Sequence, residues 1–430
     1  MKAKAIIENG FKETEIGLVP EDWKTVKLGD VAEISSGGSA PQGNNYFNGK
    51  NPFIRVQHID REGDRVIKWD LITDDAVKKY KLKIYPKGTI VFPKSGASIY
   101  LEKRAMLPID AYIVSHLCAV ISNDKNVNQK FLFYELRNIE LSKDKADGYP
   151  TLNLSEVKNV KVIIPSLLEQ QKIAFVLSKI QQAIEQQDRI IETTRELKKS
   201  LVNKLFTEGL HGEEQKETEI GSMPKSWKSE SISNVVEKTK QIDPRKTPNL
   251  SFKYIDVSGV SNEFYKIIEY RAYNGSNAPS RAKKLIQTND VIFATVRPTL
   301  KRIAYVDENY DGKICSTAFC VLRSKKNVLS SRYLYYCVQN DEFIEELAKL
   351  QRGASYPAIT DGDIKRQQIP LPKVEEQKEI ANVLFNIDKK LAQVESRKQT
   401  FQALFKTMLN QLMTGKIRVK DLDIEVKENV

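Results

Sequence analysis

Apolar positions along the chain follow two different periods. Short runs of strand character at residues 52–57, 89–92 and 112–121 are divided by clusters of Gly, Asn, Asp and Pro, and runs at 252–257, 290–295 and 314–322 repeat the plan. After each set the spacing turns to three and four, predicting a short helix near 129–141 and another near 331–350. Two much longer patterns follow. Beyond Pro165, residues Ile173, Leu177, Ile180, Ile184, Gln187, Ile191, Thr194, Lys198, Leu201 and Leu205 recur at alternating steps of four and three. Beyond Pro372 the same steps pick out Ile380, Leu384, Ile387, Leu391, Val394, Lys398, Phe401, Phe405, Met408 and Leu412, of which all but Lys398 are apolar. That is a coiled-coil seam, narrower than the apolar face of a globular helix. Pro165 and Pro372 stand at the helix starts, and Gly209 and Gly415 stand where C-terminal caps belong. At 1.5 Å per residue, about 40 residues give ~60 Å of helix.

The chain also repeats itself. Glu-Thr-Glu-Ile-Gly begins at Glu13 and again at Glu217, followed by Pro20 and Trp23 in one copy and Pro224 and Trp227 in the other. Tyr149-Pro150 returns as Tyr356-Pro357, and Glu169-Gln170 with Ile173-Ala174 returns as Glu376-Gln377 with Ile380-Ala381. The offset is 204 residues at the front and 207 at the back, the size of a domain rather than of a solenoid repeat. Neither long helix meets another long apolar surface in the chain. The two are therefore predicted to pack on each other, antiparallel, since each leaves its own β-rich block at the same end. Docking of each helix on a partner protein is the alternative. The resulting class is α+β: two β-rich blocks joined and separated by two long antiparallel coiled-coil helices, with a pseudo-two-fold internal repeat. The division reads 1–12 leader, 13–165 first block, 166–208 first long helix, 209–216 linker, 217–372 second block, 373–414 second long helix and 415–430 tail. No role is assigned to the leader or the tail.

Composition narrows the function. The 430 residues are 40% hydrophobic and 29% charged, which suits a globular chain. No apolar run approaches a membrane span and no cleavable signal precedes the first repeat, so a cytoplasmic protein is expected. Cys118, Cys315, Cys320 and Cys337 form no C-x-x-C pair and read as buried free thiols. The net charge of +12 is concentrated in the two blocks, which favours a polyanion, nucleic acid first; a charge that only maintains solubility is the alternative.

The chain resembles the specificity subunit of a Type I restriction-modification enzyme, over nearly its whole length. The most specific element is the passage from block into helix: Ile163-Ile164-Pro165, then Glu169-Gln170 and Ile173-Ala174, repeated as Ile369-Pro370-Leu371-Pro372, then Glu376-Gln377 and Ile380-Ala381. The block opening also fits, with Pro20, Trp23, Gly37-Gly38-Ser39, Tyr46-Phe47, Gly49 and Phe53-Ile54. The second copy keeps Pro224 and Trp227 but carries Thr239-Lys240-Gln241 in place of the Gly-Gly turn. The resemblance implies a non-catalytic reader of double-stranded DNA whose blocks are target recognition domains, one for each half of a split site. It implies that the helices act as ruler and dock two modification subunits, with restriction (motor-nuclease) subunits completing the complex. The blocks differ greatly between their shared ends, so the bipartite target is expected to be asymmetric.

Reading bases needs Arg or Lys for guanine and Asn or Gln for adenine, held on loops between strands. In the first block the candidate loop carries Lys94, Ser95, Gly96, Ser98 and Tyr100, with Lys103 and Arg104 just beyond. Its counterpart carries Arg297, Lys301 and Arg302. Gln57 and His58 form a second group, against Ser258 in the other copy, and Arg271, Arg281, Lys283 and Lys284 a third. Ordinary solvated basic residues are the competing explanation for each. For subunit docking the candidates are Glu169, Gln170, Glu376 and Gln377, which also suit the block–helix junction or helix capping.

Enzyme chemistry finds little purchase. Gly43 to Gly49-Lys50 has five intervening residues where a phosphate loop has four, and Asn51 follows instead of Ser or Thr. Asn51-Pro52-Phe53 lacks the second Pro of an adenine methyltransferase motif. Asp307 with Asp311-Gly312-Lys313 is too tight for a nuclease cluster and reads as a turn. His58, His116 and His211 have no metal-ligand spacing. The chain itself is expected to bind no cofactor, while the assembled complex would use S-adenosylmethionine, ATP and Mg²⁺. A DNA-processing enzyme with a cryptic site and a non-catalytic basic scaffold are the rival functions.

Overall fold

The computed structural model describes residues 10–60, 64–143 and 150–424; Tyr149, most of the leader and the end of the tail lie outside them. The chain forms two compact units, one of residues 1–188 with 397–430 and one of residues 189–396. Each long helix therefore contributes one half to each unit.

In the first unit a four-stranded mixed sheet runs in the order Asp70–Ile72, Phe47–Ile54, Ala111–Ile113, Ile84–Tyr85, with Tyr112 parallel to Phe53. An antiparallel sheet follows the order Ala32–Ser36, Leu117–Ser122, Ile90–Pro93, Ala105–Met106. The second unit repeats both orders. Arg271–Asn274, Ser251–Ile255, Ile314–Ser316 and Ala282–Leu285 form the mixed sheet, with Tyr254 parallel to Ile314. Val236–Glu237, Phe319–Ser324, Val291–Ala294 and Ile303–Tyr305 form the antiparallel one.

The central strands are apolar throughout because both of their faces are covered. From Leu117–Ser122, Cys118 and Val120 enter a core shared with Ile173, Leu177 and Phe405 of the long helices, while Leu117 and Ala119 pack with Phe53 and Ile113 of the mixed sheet. Phe319–Ser324 divides likewise, Cys320 and Leu322 facing Ile380 and Leu384, and Phe319 and Val321 facing Ile255. This double burial also hides a boundary. The runs 112–121 and 314–322 are not single strands; each splits where the chain steps from the mixed sheet to the antiparallel one, at 114–116 and 317–318. The helix expected over 331–350 is likewise two, Ser331–Cys337 and Asp341–Lys349, because the Asn340 side chain accepts the N–H of Glu342 and starts a second helix. The helix near 129–141 spans Gln129–Asn138, capped by Asn128.

The long helices span Leu167–Thr207 and Val374–Met413. Gly209 and Gly415 beyond their ends adopt left-handed backbone, φ +67° and +69°. A Cβ on Gly415 would lie 2.2 Å from Pro20, so this helix end is pressed against the first block. In the first unit Lys172 donates to the carbonyls of Lys420 and Leu422 while Asp188 meets Lys398 at 2.7 Å, so the two helix halves run antiparallel. In the second unit Lys198 meets Asp388 at 2.6 Å and the Leu210 N–H reaches Glu376, again antiparallel. Lys198 and Lys398 are the charged seam positions, and each is answered by an aspartate on the other helix. Among the described residues no helix is long and apolar enough to cross a membrane.

Candidate nucleic-acid interface

Each antiparallel sheet delivers one candidate loop from the end of a fully buried strand. After Ile90–Pro93, the Lys94 N–H bonds the His116 carbonyl and its own carbonyl accepts from Leu152. Gly96, at φ +78°, lets the chain turn into a short 3₁₀ segment, Ala97–Leu101, where Ser98 bonds the Ser95 carbonyl and the Tyr100 ring is 44% exposed. After Val291–Ala294 the equivalent loop passes through left-handed Arg297 and Lys301, with Pro298–Leu300 between them. Arg297 is exposed, and its guanidinium lies 4.9 Å from the centre of the Tyr356 ring.

Several candidates are committed to the fold instead. Arg104 is buried over the Phe92 ring, paired with Glu102 and bonded to the Lys103 carbonyl. Burial lowers its pKa, and Glu102 opposes that shift. Lys103 donates to the Ile59 carbonyl at 3.0 Å. His58 is buried, with Nδ1 accepting from the Arg55 N–H at 3.1 Å and Nε2 3.6 Å from Asp70. Burial depresses its pKa, while Gln57 beside it is exposed. Arg302 donates to the carbonyls of Val257 and Val260, fixing the turn where Ser258 sits, and Lys301 pairs with Asp341.

The third group divides by strand alternation. In Ala282–Leu285, Lys284 points inward, where Nζ meets the Phe319 carbonyl and Asp361, both at 2.5 Å. Lys283 is half-buried near Asp243, at 3.8 Å, and Arg281 is exposed. Arg271 is exposed beside Glu269. Arg104, His58 and Lys284 thus cannot reach bases in this fold; Lys94, Ser95, Gly96, Ser98, Tyr100, Gln57, Arg271, Arg281 and Arg297 remain on accessible loops or strand ends.

The four docking candidates occupy the junctions. Gln170 donates to the carbonyls of Asn126 and Pro165 at 2.9 Å and accepts from the Asn128 N–H at 2.9 Å. Gln377 repeats the set on Val328, Pro372 and Ser330. An amide is needed there, because one end donates twice while the other accepts. Glu169 accepts from the Trp23 indole and from Arg418, and Glu376 accepts from the Trp227 indole at 3.1 Å. Glu169, Gln170 and Gln377 are buried and Glu376 is half-buried, and these bonds place all four at the block–helix junction. Sequence reasoning missed Tyr356 as a candidate contact, although its repeated Tyr-Pro context marked it.

All four cysteines are buried and free, and burial pushes the Cys118 and Cys320 thiols up to about 12. Among the described residues no group of three or more His, Cys, Asp or Glu is placed to hold a metal.

The profile of the family described as Type I restriction modification DNA specificity domain matches residues 20–194 and 224–400. The chain is 27% identical to the Type I restriction enzyme MjaVIII specificity subunit of Methanocaldococcus jannaschii, over 97% of this chain and 98% of that one. It is 21% identical to the EcoDI specificity subunit of Escherichia coli, over 85% and 81% respectively. A crystal structure of a Type I restriction-modification S subunit from M. genitalium shares the fold, with a TM-score of 0.60 at 14% identity, over 91% of this chain and 96% of that one.

Proposed function

The chain belongs to the Type I restriction-modification specificity family, and on that premise we propose that its two recognition domains read the unlike halves of one asymmetric, bipartite DNA site. The observation that carries this reading is the contrast between scaffold and loops. Strand order, the parallel pairing, the Trp–Glu bond and the Gln cross-link all occur twice. On these matched frames stand loops of different chemistry: Gly96, Ser98 and Tyr100 in one, Arg297 and Pro298 in the other. Matched frames with unlike loops suit two readers of different short sequences. Basic side chains on phosphate would position each domain and the loop side chains would specify. The long helices would set the spacing of the half-sites, about one DNA turn or ~34 Å, and would carry two modification subunits. Catalysis belongs in this reading to the partners: S-adenosylmethionine to the modification subunits, ATP and Mg²⁺ to the restriction subunits, with none held by this chain.

Exchange of residues 217–372 for the corresponding domain of a relative with a known target provides the test. The methylated motif of the chimera should change in one half only. A motif changed in both halves, or in neither, would contradict the assignment of one half-site to each domain.

A further inference from the structure

The proline of the repeated Tyr-Pro pair closes a loop in both units, Pro150 in the first and Pro357 in the second. In the second unit Tyr356 and Pro357 lie in a turn over residues 352–358, where Arg352 pairs with Ala358 and Gly353 supplies φ +94°. This turn is tied to the candidate loop. The Arg297 N–H donates to the Pro357 carbonyl at 2.7 Å, Val296 pairs with Ala358, and the Ile359 N–H donates to the Thr295 carbonyl at 2.9 Å. In the first unit the Gly96 N–H donates to the Pro150 carbonyl at 2.9 Å and Ser95 pairs with Thr151, so the candidate loop there is closed at the same place.

What the second copy displays is unusual for a surface tyrosine. Tyr356 is 71% exposed, the highest value among the exposed large apolar side chains of the described residues. Its ring is nevertheless held, with the Arg297 guanidinium 4.9 Å from its centre. Arg352 opens the same turn, and its side chain shares the carboxylate of Asp363 with Arg366, which lies on the helix that follows; both arginine side chains are at least 70% exposed. The cluster is therefore cationic, and at its tip a flat π-face stands in water. Phosphate binding needs only the cations. A steadied aromatic face beside them matches the other accessible feature of a nucleic acid, the face of a base.

We propose that Tyr356, steadied by Arg297, stacks on a base of the half-site read by the second domain, opening the base step there, while Arg352 and Arg366 contact flanking phosphates. The proposal rests on the DNA-reading function stated above. Its test uses the chain assembled with its modification subunits and a duplex bearing the split motif that the complex methylates. 2-Aminopurine replaces one base at a time in the second half-site.

The wild-type complex should raise probe fluorescence at one or two adjacent positions. Y356A should abolish that rise and weaken binding roughly tenfold, with the salt dependence unchanged because no charge is lost. Y356F and Y356W should retain both, and R297K, which keeps the charge but not the planar support, should reduce the rise. Wild-type fluorescence and affinity in Y356A would overturn the proposal, as would equal losses in Y356F and Y356A, which would indicate a hydroxyl contact. A wild-type complex that binds no such duplex would overturn the DNA-reading function itself, a failure distinct from either.

Discussion

The indole N–H of Trp23 donates to Glu169 Oε2 at 3.0 Å, joining the opening of the first recognition domain to the start of the first long helix across 146 residues. Trp227 and Glu376 make the same bond in the second unit at 3.1 Å. The first junction carries more charge, because Arg418 from the tail bonds both oxygens of Glu169 at 2.8 Å and also reaches Asp22. In the second unit the other oxygen of Glu376 accepts, among the described residues, a backbone N–H alone, from Leu210 at 3.4 Å. The two substitutions should therefore differ. Glu169→Gln is expected to cost about 1.5–3 kcal/mol of stability and Glu376→Gln about 1 kcal/mol or less, by denaturant titration. Equal costs would show that the tail adds nothing to the first junction.

In each unit an aspartate–lysine bridge links the two helix halves at a seam position, Asp188–Lys398 in the first unit and Lys198–Asp388 in the second. Lys198 also lies over the Tyr336 ring. A charged residue in an apolar seam costs stability but penalises every slipped pairing. Lys198→Asp should destabilise, and Lys198→Asp with Asp388→Lys should recover part of the loss. A double-mutant cycle is expected to return a coupling of about 1 kcal/mol, and a coupling of zero would remove the register role.

Arginines of the second domain fall into two kinds. Arg302 holds the carbonyls of Val257 and Val260, whereas the Arg297 side chain stands out against Tyr356. Arg302→Ala should lower the melting temperature of the second unit, and any weakening of DNA binding should follow from that. Arg297→Ala should leave the melt unchanged and weaken binding to the duplex, with a salt slope smaller by up to ~0.9 if the guanidinium also neutralises a phosphate. Paired thermal melts and anisotropy titrations over a salt series separate the two. The reverse pattern would exchange their roles.

Glu135 gives a pH signature. Its side chain is buried in the first unit, one oxygen accepting from the Ile163 N–H at 2.9 Å and the other without a hydrogen-bond partner among the described residues. Burial pushes its pKa up to about 7. The unfolded value lies near ~4.3, so between these limits the folded chain holds a proton that the unfolded chain has released. Stability from this group is thus full below about pH 4 and lost as pH rises to about 7. Glu135→Gln removes the titration. Its stability relative to the wild type should rise between pH 5 and pH 8 by on the order of 2–3 kcal/mol, and a pH-independent difference would contradict the shift.

The sequence showed the long helices well because few structures besides a coiled coil need a seam of alternating three and four steps, and Gly209 and Gly415 marked their ends. It also showed the repeat, whose Glu-Gln pair is held by specific bonds that only those side chains make. Strand boundaries at 114–116 and 317–318 were illegible, since a strand buried on both faces has no alternation to lose. Candidate contacts were the least legible. Lys283 and Lys284 differ only by position along a strand, and the commitment of Lys284 and Arg302 to the fold is set by partners distant in sequence, Asp361 for Lys284 and Val257 for Arg302. Tyr356 was visible as a repeated letter, but its exposure depends on a turn built against Arg297.

Methylation mapping of the source genome, with the gene intact and deleted, addresses the reading of a bipartite site most directly. A split motif of three or four bases, a gap and four or five more should lose its methylation on deletion and regain it on complementation. Loss of a continuous or palindromic motif, or an unchanged methylome in a strain whose modification subunits are shown to be expressed and active, would contradict it.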